Sequence, residues 1–412
     1  MTADPNTHRN TLQHLFDCAL ESVAGDKAVA RVLATDDIGE RVSVVAMGKA
    51  ASSMVQGAQA VLQDRLTKGL VLTKNDHVDQ VLADDPRLLI HESAHPVPDE
   101  SSLRSGDVLV EFVQQVPPDD DLLVLVSGGL SSLVEQLPPG MTLTDLSRVT
   151  EFLLAGGFDI TQINQVRRSI SRIKGGRLAV HLRAQRVYQY AISDVPGDSL
   201  QDIGSGPLAL PQTDRHALQL PDWIVDFQQA VALPDERALE KLASIKNRVV
   251  ASSDIARSAV CDAATSVDLP VQPVTGDLHQ DVAANTAMIA EQLLKPDALP
   301  GIYVWAGEST LQLPEKPGRG GRNQHLALLL AREIDGHPVT VLCGATDGTD
   351  GPTSDAGGIV DGRSAQLVRD RQLDIQQVIN AADSGNLLEQ TGELLTTGPT
   401  GTNVMDLVIA IR

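Results

Sequence analysis

Seven short, largely apolar runs constrain this chain more than any other feature: VSVVAM (42–47), GLVLT (69–73), LLVLV (122–126), YQYAI (188–192), RVVAS (248–252), IYVWAG (302–307) and VTVLCG (339–344). Each is too short for a helix and is rich in Val, Ile or Tyr, and all but GLVLT end at or just before Gly or Ser. Such runs predict strands buried on both faces, as in parallel sheets covered by helices. Amphipathic helical patterns lie between them, beginning with Leu12, Leu15, Phe16, Ala19, Leu20 and Val23 at helical spacing. In sheets of this kind ligands bind beyond the carboxyl ends of the strands, so the residues just after each run are the informative ones.

The length of 412 residues calls for more than one domain. Pro207 to Asp222, PLALPQTDRHALQLPD, reads as a long loop leading from one to the next. The expected partition is 1–240 and 241–412, with a soft boundary. With 2% aromatics, Ala, Val and Leu must fill the core. A formal charge of −21 argues against nucleic acid or an anionic membrane as partner, and it obliges an anionic substrate to find a local cationic pocket. Cys18, Cys261 and Cys343 show no paired spacing and suit buried thiols in a reducing compartment. No leader pattern or membrane-length apolar run is present, so a cytoplasmic, soluble protein is expected.

Four strand ends concentrate glycine and charge. Gly48-Lys49 closes the first run and opens a helical pattern, which sets a cation beside helix N-terminal amides. Ser127-Gly128-Gly129, followed by Ser131 and Ser132, is a turn able to cradle phosphate through its N–H groups. Asp194 follows a buried run, with Asp198 and Asp202 close behind. GRGGRNQ (318–324) offers Arg319 and Arg322 in a glycine-rich loop, and arginine forks take carboxylate or phosphate oxygens in pairs. ATDGTDGPTSDAGG then places Asp347, Asp350 and Asp355 after another buried run, and carboxylates near basic loops suit a Mg²⁺–nucleotide site. Together these groups point to phosphoryl transfer, which needs cations, a metal and a base for the accepting hydroxyl.

Three apparent motifs fail on context. His91-Glu92-Ser93-Ala94-His95 matches H-E-x-x-H, but LLI reads as a strand and Pro96 pushes His95 out of the α region, so the histidines need not share a face. Gly204-x-Gly206-x-x-Ala209 lacks the strand and helix of a dinucleotide site. The aspartate-rich loop has Gly358 where a calcium loop of the EF-hand type needs glutamate.

The order AMGKAA, HPVPDESS, SGGLSSL, INQVRRSISRIKGGRLA, ISDVPGDSLQDIGSGP, AGEST, GRGGRNQHLAL, ATDGTDGPTSDAGG and TTGPTGTNVMDLVIA resembles the class II glycerate 2-kinases almost end to end. That family carries a C-terminal MOFRL domain and is often labelled hydroxypyruvate reductase. The resemblance implies a Rossmann-like parallel-sheet domain plus a second α/β domain, with the active site in the cleft between them. It implies transfer of the ATP γ-phosphoryl to the 2-hydroxyl of D-glycerate with Mg²⁺, and leaves a homodimer open. Lys49, Arg322 and Asp347 correspond to the family's functional lysine, arginine and aspartate, and Asp194 stands in its S-D-V motif. Lys49 and Arg322 would hold the glycerate carboxylate or steady the phosphoryl. Asp194 or Asp347 would accept the hydroxyl proton or place Mg²⁺, with Asp350 as a second metal carboxylate. Ser127, Gly128, Gly129, Lys174, Gly175 and Gly176 would line the phosphate path, with Arg319 and Asn323 as further binding groups.

Two positions depart from the family pattern. Leu130 replaces a glycine, which would narrow the backbone approach to phosphate. His325 replaces an acidic residue and would alter a polar contact near Arg322. Both bear on a rival reading, a kinase of a larger aldonic acid. An NAD(P)H-dependent reductase lacks its fingerprint here, and a non-catalytic sugar-acid-binding protein leaves the lysine, arginine and aspartates without a purpose.

Overall fold

All seven runs form strands. In the computed structural model, which describes residues 5–75, 77–211 and 218–412, β1 (Val42–Met47), β2 (Leu66–Lys74), β3 (Leu88–Ser93), β4 (Asp121–Val126), β5 (Val187–Ile192) and β6 (Lys246–Ala251) make one sheet. Its order is β3-β2-β1-β4-β5-β6, the order of the Rossmann fold, and β1 to β5 pair in parallel. β1, β4 and β5 are buried along their whole length, as their uninterrupted apolar sequences require. The strand order reverses between β1 and β4, so the loops after these two parallel strands flank the switch point where such sheets bind ligands. Of the expected loop at Pro207–Asp222, residues 212–217 lie outside the described residues.

A second, five-stranded sheet is built from β7 (Ile302–Gly307), β8 (Thr340–Ala345), β9 (Gly357–Asp361), β10 (Leu394–Leu395) and β11 (Asp406–Ile411), in the order β10-β9-β8-β11-β7. Here the expectation of parallel pairing needs correction. β11 lies between β7 and β8 and pairs antiparallel with both, and β8 pairs antiparallel with β9. β7, β8 and β11 are nonetheless wholly buried. Burial on both faces dictates the apolar run, whichever way the neighbour points.

The chain divides into two compact units, Gly25–Val250 and Met1–Ala24 with Ala251–Arg412. This departs from the expected split at 240 in two ways. The N-terminal helix Pro5–Val23 joins the C-terminal unit, because its apolar face (Leu12, Leu15, Phe16, Ala19) packs on β8, β11 and the helix Ser253–Ala264. Arg9 of the same helix is held by Asp361, by Glu393 and by the Ile359 carbonyl. At the other end, the first sheet keeps its sixth strand, which moves the junction past residue 245.

Candidate active site

In the first unit three loops meet at the carboxyl ends of β1, β4 and β5. Gly48 and Lys49 lie between β1 and the helix Ala51–Leu62. Gly48 has φ of 118°, and a methyl group there would lie 2.3 Å from Ser127 Oγ, so only glycine fits. Lys49 N–H donates to the Gly128 carbonyl at 2.9 Å. Ser127 is fully buried, accepts from Ala50 N–H at 3.1 Å and donates to the Met47 carbonyl at 3.3 Å. Its hydroxyl thus ties the two loops together instead of facing a phosphate. The amides of Gly128 and Gly129 donate to no acceptor among the described residues.

Asp194 follows β5 after one serine. A methyl group on Gly128 would stand 1.9 Å from Asp194 Oδ2, so the carboxylate lies directly on the backbone of the turn after β4. Burial pushes its carboxyl above the ordinary carboxylate range, against the pull of its own amide and the Lys49 charge. On the other side, a methyl group on Gly129 (φ 83°) would lie 3.0 Å from Lys49 Cγ and 3.3 Å from His95 Nε2. Burial, then Lys49, Lys74 and His77, hold His95 down to about 4, so its imidazole is neutral at physiological pH. His95 was absent from the sequence-derived set. Only His91 of the H-E-x-x-H pair sits on β3, and the residues after it form a capping box in which Asp99 accepts from Ser101 N–H at 2.8 Å and its own N–H donates to Ser102 Oγ at 3.2 Å. The turn was legible in the sequence, and the cap was not read from it. Nor was the destination of His95.

The KGG segment does not line a phosphate path. Lys174 is 1% exposed, forms an ion pair with Glu135 and donates to the Ser131 carbonyl at 2.9 Å. Gly175 and Gly176 spend their N–H groups on the Ser205 and Gly206 carbonyls at 3.0 and 2.8 Å. Leu130 is another correction. It is 3% exposed within the core of the unit and packs on Gly204, so it does not crowd the turn. Gly204 lies within a one-turn 3-10 helix, Ile203–Ser205, and Gly206 directly after it, both with positive φ.

In the second unit the loops after β7 and β8 and the start of β11 gather around the helix Arg322–Glu333. Arg322 Nε and Nη2 fork onto Asp406 at 2.6 and 3.0 Å, and Nη1 meets Glu308 at 2.6 Å. Asp406 is fully buried and follows Met405, whose φ of 70° is unusual for a side chain of that size. Burial opposes charge on both partners of this pair. Two short charge-assisted bonds, with a further one from Asn323 to Asp406, favour its ionised form, and the Arg322 pKa is held above its ordinary value.

Three binding assignments change here. Asp350, expected as a metal ligand, accepts from the Asn323 and Gln324 amides at 3.0 and 2.8 Å, one on each oxygen, and so caps the helix. Burial pushes its carboxyl up to about 7 against the pull of those two amides. Asn323 is 1% exposed and committed to Asp350 and Asp406. Arg319 is taken by Asp355 and Glu389, both at 2.5 Å, and fastens the glycine-rich loop. Asp347 stays available, because only Oδ1 is used, by Thr349 N–H at 3.0 Å and Thr349 Oγ1 at 3.1 Å. His325 is buried with Nδ1 lacking a partner and makes no hydrogen bond to Arg322. Among the described residues no group of three or more His, Cys, Asp or Glu is arranged to hold a metal ion, and no helix is long and apolar enough to cross a membrane.

Comparison with known proteins gives a consistent result. Residues 11–231 match the family described as domain of unknown function DUF4147, and residues 301–406 match the MOFRL family. The chain is 35% identical to the D-glycerate 2-kinase of Thermotoga maritima, over 99% of each sequence. It is 34% identical to a putative hydroxypyruvate reductase of Agrobacterium vitis, over 99% of this chain and 95% of that one. The crystal structure of a glycerate kinase from Thermotoga maritima superposes with a TM-score of 0.86 at 32% identity, covering 99% of this chain and 100% of the other.

Proposed function

Because the chain belongs to the class II glycerate 2-kinase family with its MOFRL domain, we propose that it transfers the γ-phosphoryl of ATP to the 2-hydroxyl of D-glycerate, giving 2-phosphoglycerate. The observation that carries this reading is the convergence on one turn of a lysine, two amides without acceptors among the described residues and a carboxylate of raised pKa (Lys49, Gly128, Gly129 and Asp194). Phosphoryl transfer asks for such a set, with fixed positive groups around the moving oxygens and a nearby base for the accepting hydroxyl.

In this reading Lys49 and the two amides receive an oxyanion of the substrates. Asp194 takes the hydroxyl proton, since a carboxylate whose pKa is raised by burial is a better base than a solvated one. Arg322, aimed by Asp406 and met at Nη1 by Glu308, holds a fixed positive charge, and a carboxylate or phosphoryl group would take the place of Glu308 on it. Asp347 fits Mg²⁺ arriving with ATP, because its Oδ2 accepts no hydrogen bond from the described residues and Mg²⁺ on a nucleotide needs only one or two carboxylates. Asp350 does not fit, because both its oxygens are engaged by amides. When bound, Mg²⁺ would neutralise charge on the phosphates.

The test is ³¹P NMR of the protein with Mg·ATP and D-glycerate, beside an absorbance trace with NADH and hydroxypyruvate. The expected result is a new phosphomonoester resonance of 2-phosphoglycerate and a flat NADH trace. NADH oxidation without phosphomonoester would refute the reading in favour of the reductase label. Intact ATP with D-glycerate, but phosphorylation of a larger 2-hydroxy acid, would keep the chemistry and change the substrate.

A further inference from the structure

We propose that His95 is a ligand-contacting residue of the first unit, donating an imidazole N–H to the substrate oxyanion received by Lys49 and the turn after β4. The inference rests on the kinase reading for the identity of that oxyanion, and on geometry for everything else.

His95 and Lys49 approach the same glycine from two different loops. A methyl group on Gly129 would lie 3.2 Å from His95 Cδ2 and 3.3 Å from Nε2, with Lys49 Cγ at 3.0 Å. The ring is half-buried, and neither nitrogen has a hydrogen-bond partner among the described residues. An imidazole carries one donor and one acceptor, and a structural histidine at this depth ordinarily satisfies both. The charged and titratable groups acting on the ring are Lys49, Lys74 and His77. Burial first, and then these groups, disfavour the imidazolium, and the neutral ring keeps an N–H beside a lysine and two amides that have no acceptor among the described residues. Lys49, the two amides and the imidazole N–H are all donors, and the carboxylate beside them, Asp194, is assigned in the kinase reading to the hydroxyl proton. A carboxylate or phosphoryl oxygen of the substrate supplies the acceptor they share. A neutral donor has the further property of binding without adding charge that would tie the product down.

The H-E-x-x-H stretch thus contributes one functional histidine. His91 stays within β3, and the chain turns at Pro96 and Pro98 before Asp99 caps the next helix. That cap fixes the far end of the loop that carries His95.

The experiment is ¹H–¹³C NMR of the imidazole resonances, with the His95 signal identified by its loss in His95→Phe, a variant that keeps a ring and removes the N–H. D-glycerate, inorganic phosphate and a non-hydrolysable ATP analogue are added in separate titrations. The expected result is that at least one of them moves the His95 signal and raises its titration midpoint, and that His95→Phe weakens binding of that probe about tenfold at unchanged Tm. His95→Asn, which restores an N–H, recovers part of the loss. Which probe acts distinguishes the hydroxy-acid carboxylate from a nucleotide phosphate. A His95 signal indifferent to all three would overturn the proposal, and so would full kinase turnover in His95→Phe. If the wild type phosphorylates no hydroxy acid yet inorganic phosphate moves His95, the kinase reading falls and the anion contact stands.

Discussion

Asp406 holds Arg322 through two bonds to one buried carboxylate, at 2.6 and 3.0 Å, so the guanidinium plane is set before any ligand arrives. A lysine at 322 keeps the charge and loses the fork. Arg322→Lys is expected to lower kcat/KM at least tenfold, and Asp406→Asn to do so by a similar factor. If the two act through one geometry, the double variant is no worse than the poorer single one. Steady-state kinetics on the four proteins check this, and a fully additive loss would separate Asp406 from Arg322.

Asp194 and Gly128 make a comparable pair in the other unit. A methyl group at 128 would overlap Asp194 Oδ2, at 1.9 Å, and one of the two must move. Displacing a reacting group by about an ångström can cost on the order of a hundredfold in rate. Gly128→Ala is therefore expected to lose about that factor in kcat with near-native circular dichroism. Unchanged turnover would place Asp194 outside the chemistry.

Lys174 is expected to matter for stability only. Its ammonium is buried against Glu135, which also accepts from Ser171 Oγ at 2.6 Å and from Gln136 N–H at 2.9 Å. Lys174→Met leaves a buried carboxylate without its counter-charge, a change that costs about 3–5 kcal/mol. The further change Glu135→Leu removes that charge and should return part of the loss. Urea denaturation measures both. A large drop in kcat for a folded Lys174→Met protein would restore Lys174 to the phosphate path.

These contrasts show where the sequence was legible. Strand positions could be read because burial on two faces leaves a local apolar record, and so could the turn after β4, whose Gly-Gly has no helical or strand interior to occupy. Pairing direction in the second sheet left no such record, since β7 and β8 would be equally apolar beside a parallel neighbour. Long-range partners were hidden as well. KGGR looks like an anion loop until Glu135, 39 positions earlier, is seen on Lys174. The TDG aspartates look alike until Asp350 meets amides 26 and 27 positions away while Asp347 meets only its own turn. The family resemblance pointed to Lys49, Arg322 and Asp347 and was silent on how Asp406 and His95 meet them.

Asp350 links the second unit to pH. Its carboxyl is pushed up to about 7 in the folded chain, first by burial and also by Asp406, while an unfolded aspartate titrates near 4. The folded state therefore binds this proton more tightly, so stability falls as pH rises from about 4 to about 7 and is flat beyond. The contribution across that window is at most about 4 kcal/mol. Asp350→Asn keeps a side-chain acceptor for one of the two amides and removes the titration. Thermal unfolding of the full chain at pH 5.0, 6.0, 7.0 and 8.0 should show the wild type losing more of its Tm between pH 5 and 7 than the asparagine variant does, with parallel behaviour from pH 7 to 8. Parallel curves throughout would mean that Asp350 stays ionised over the whole range, and the cap would then be an ordinary carboxylate at a helix N-terminus.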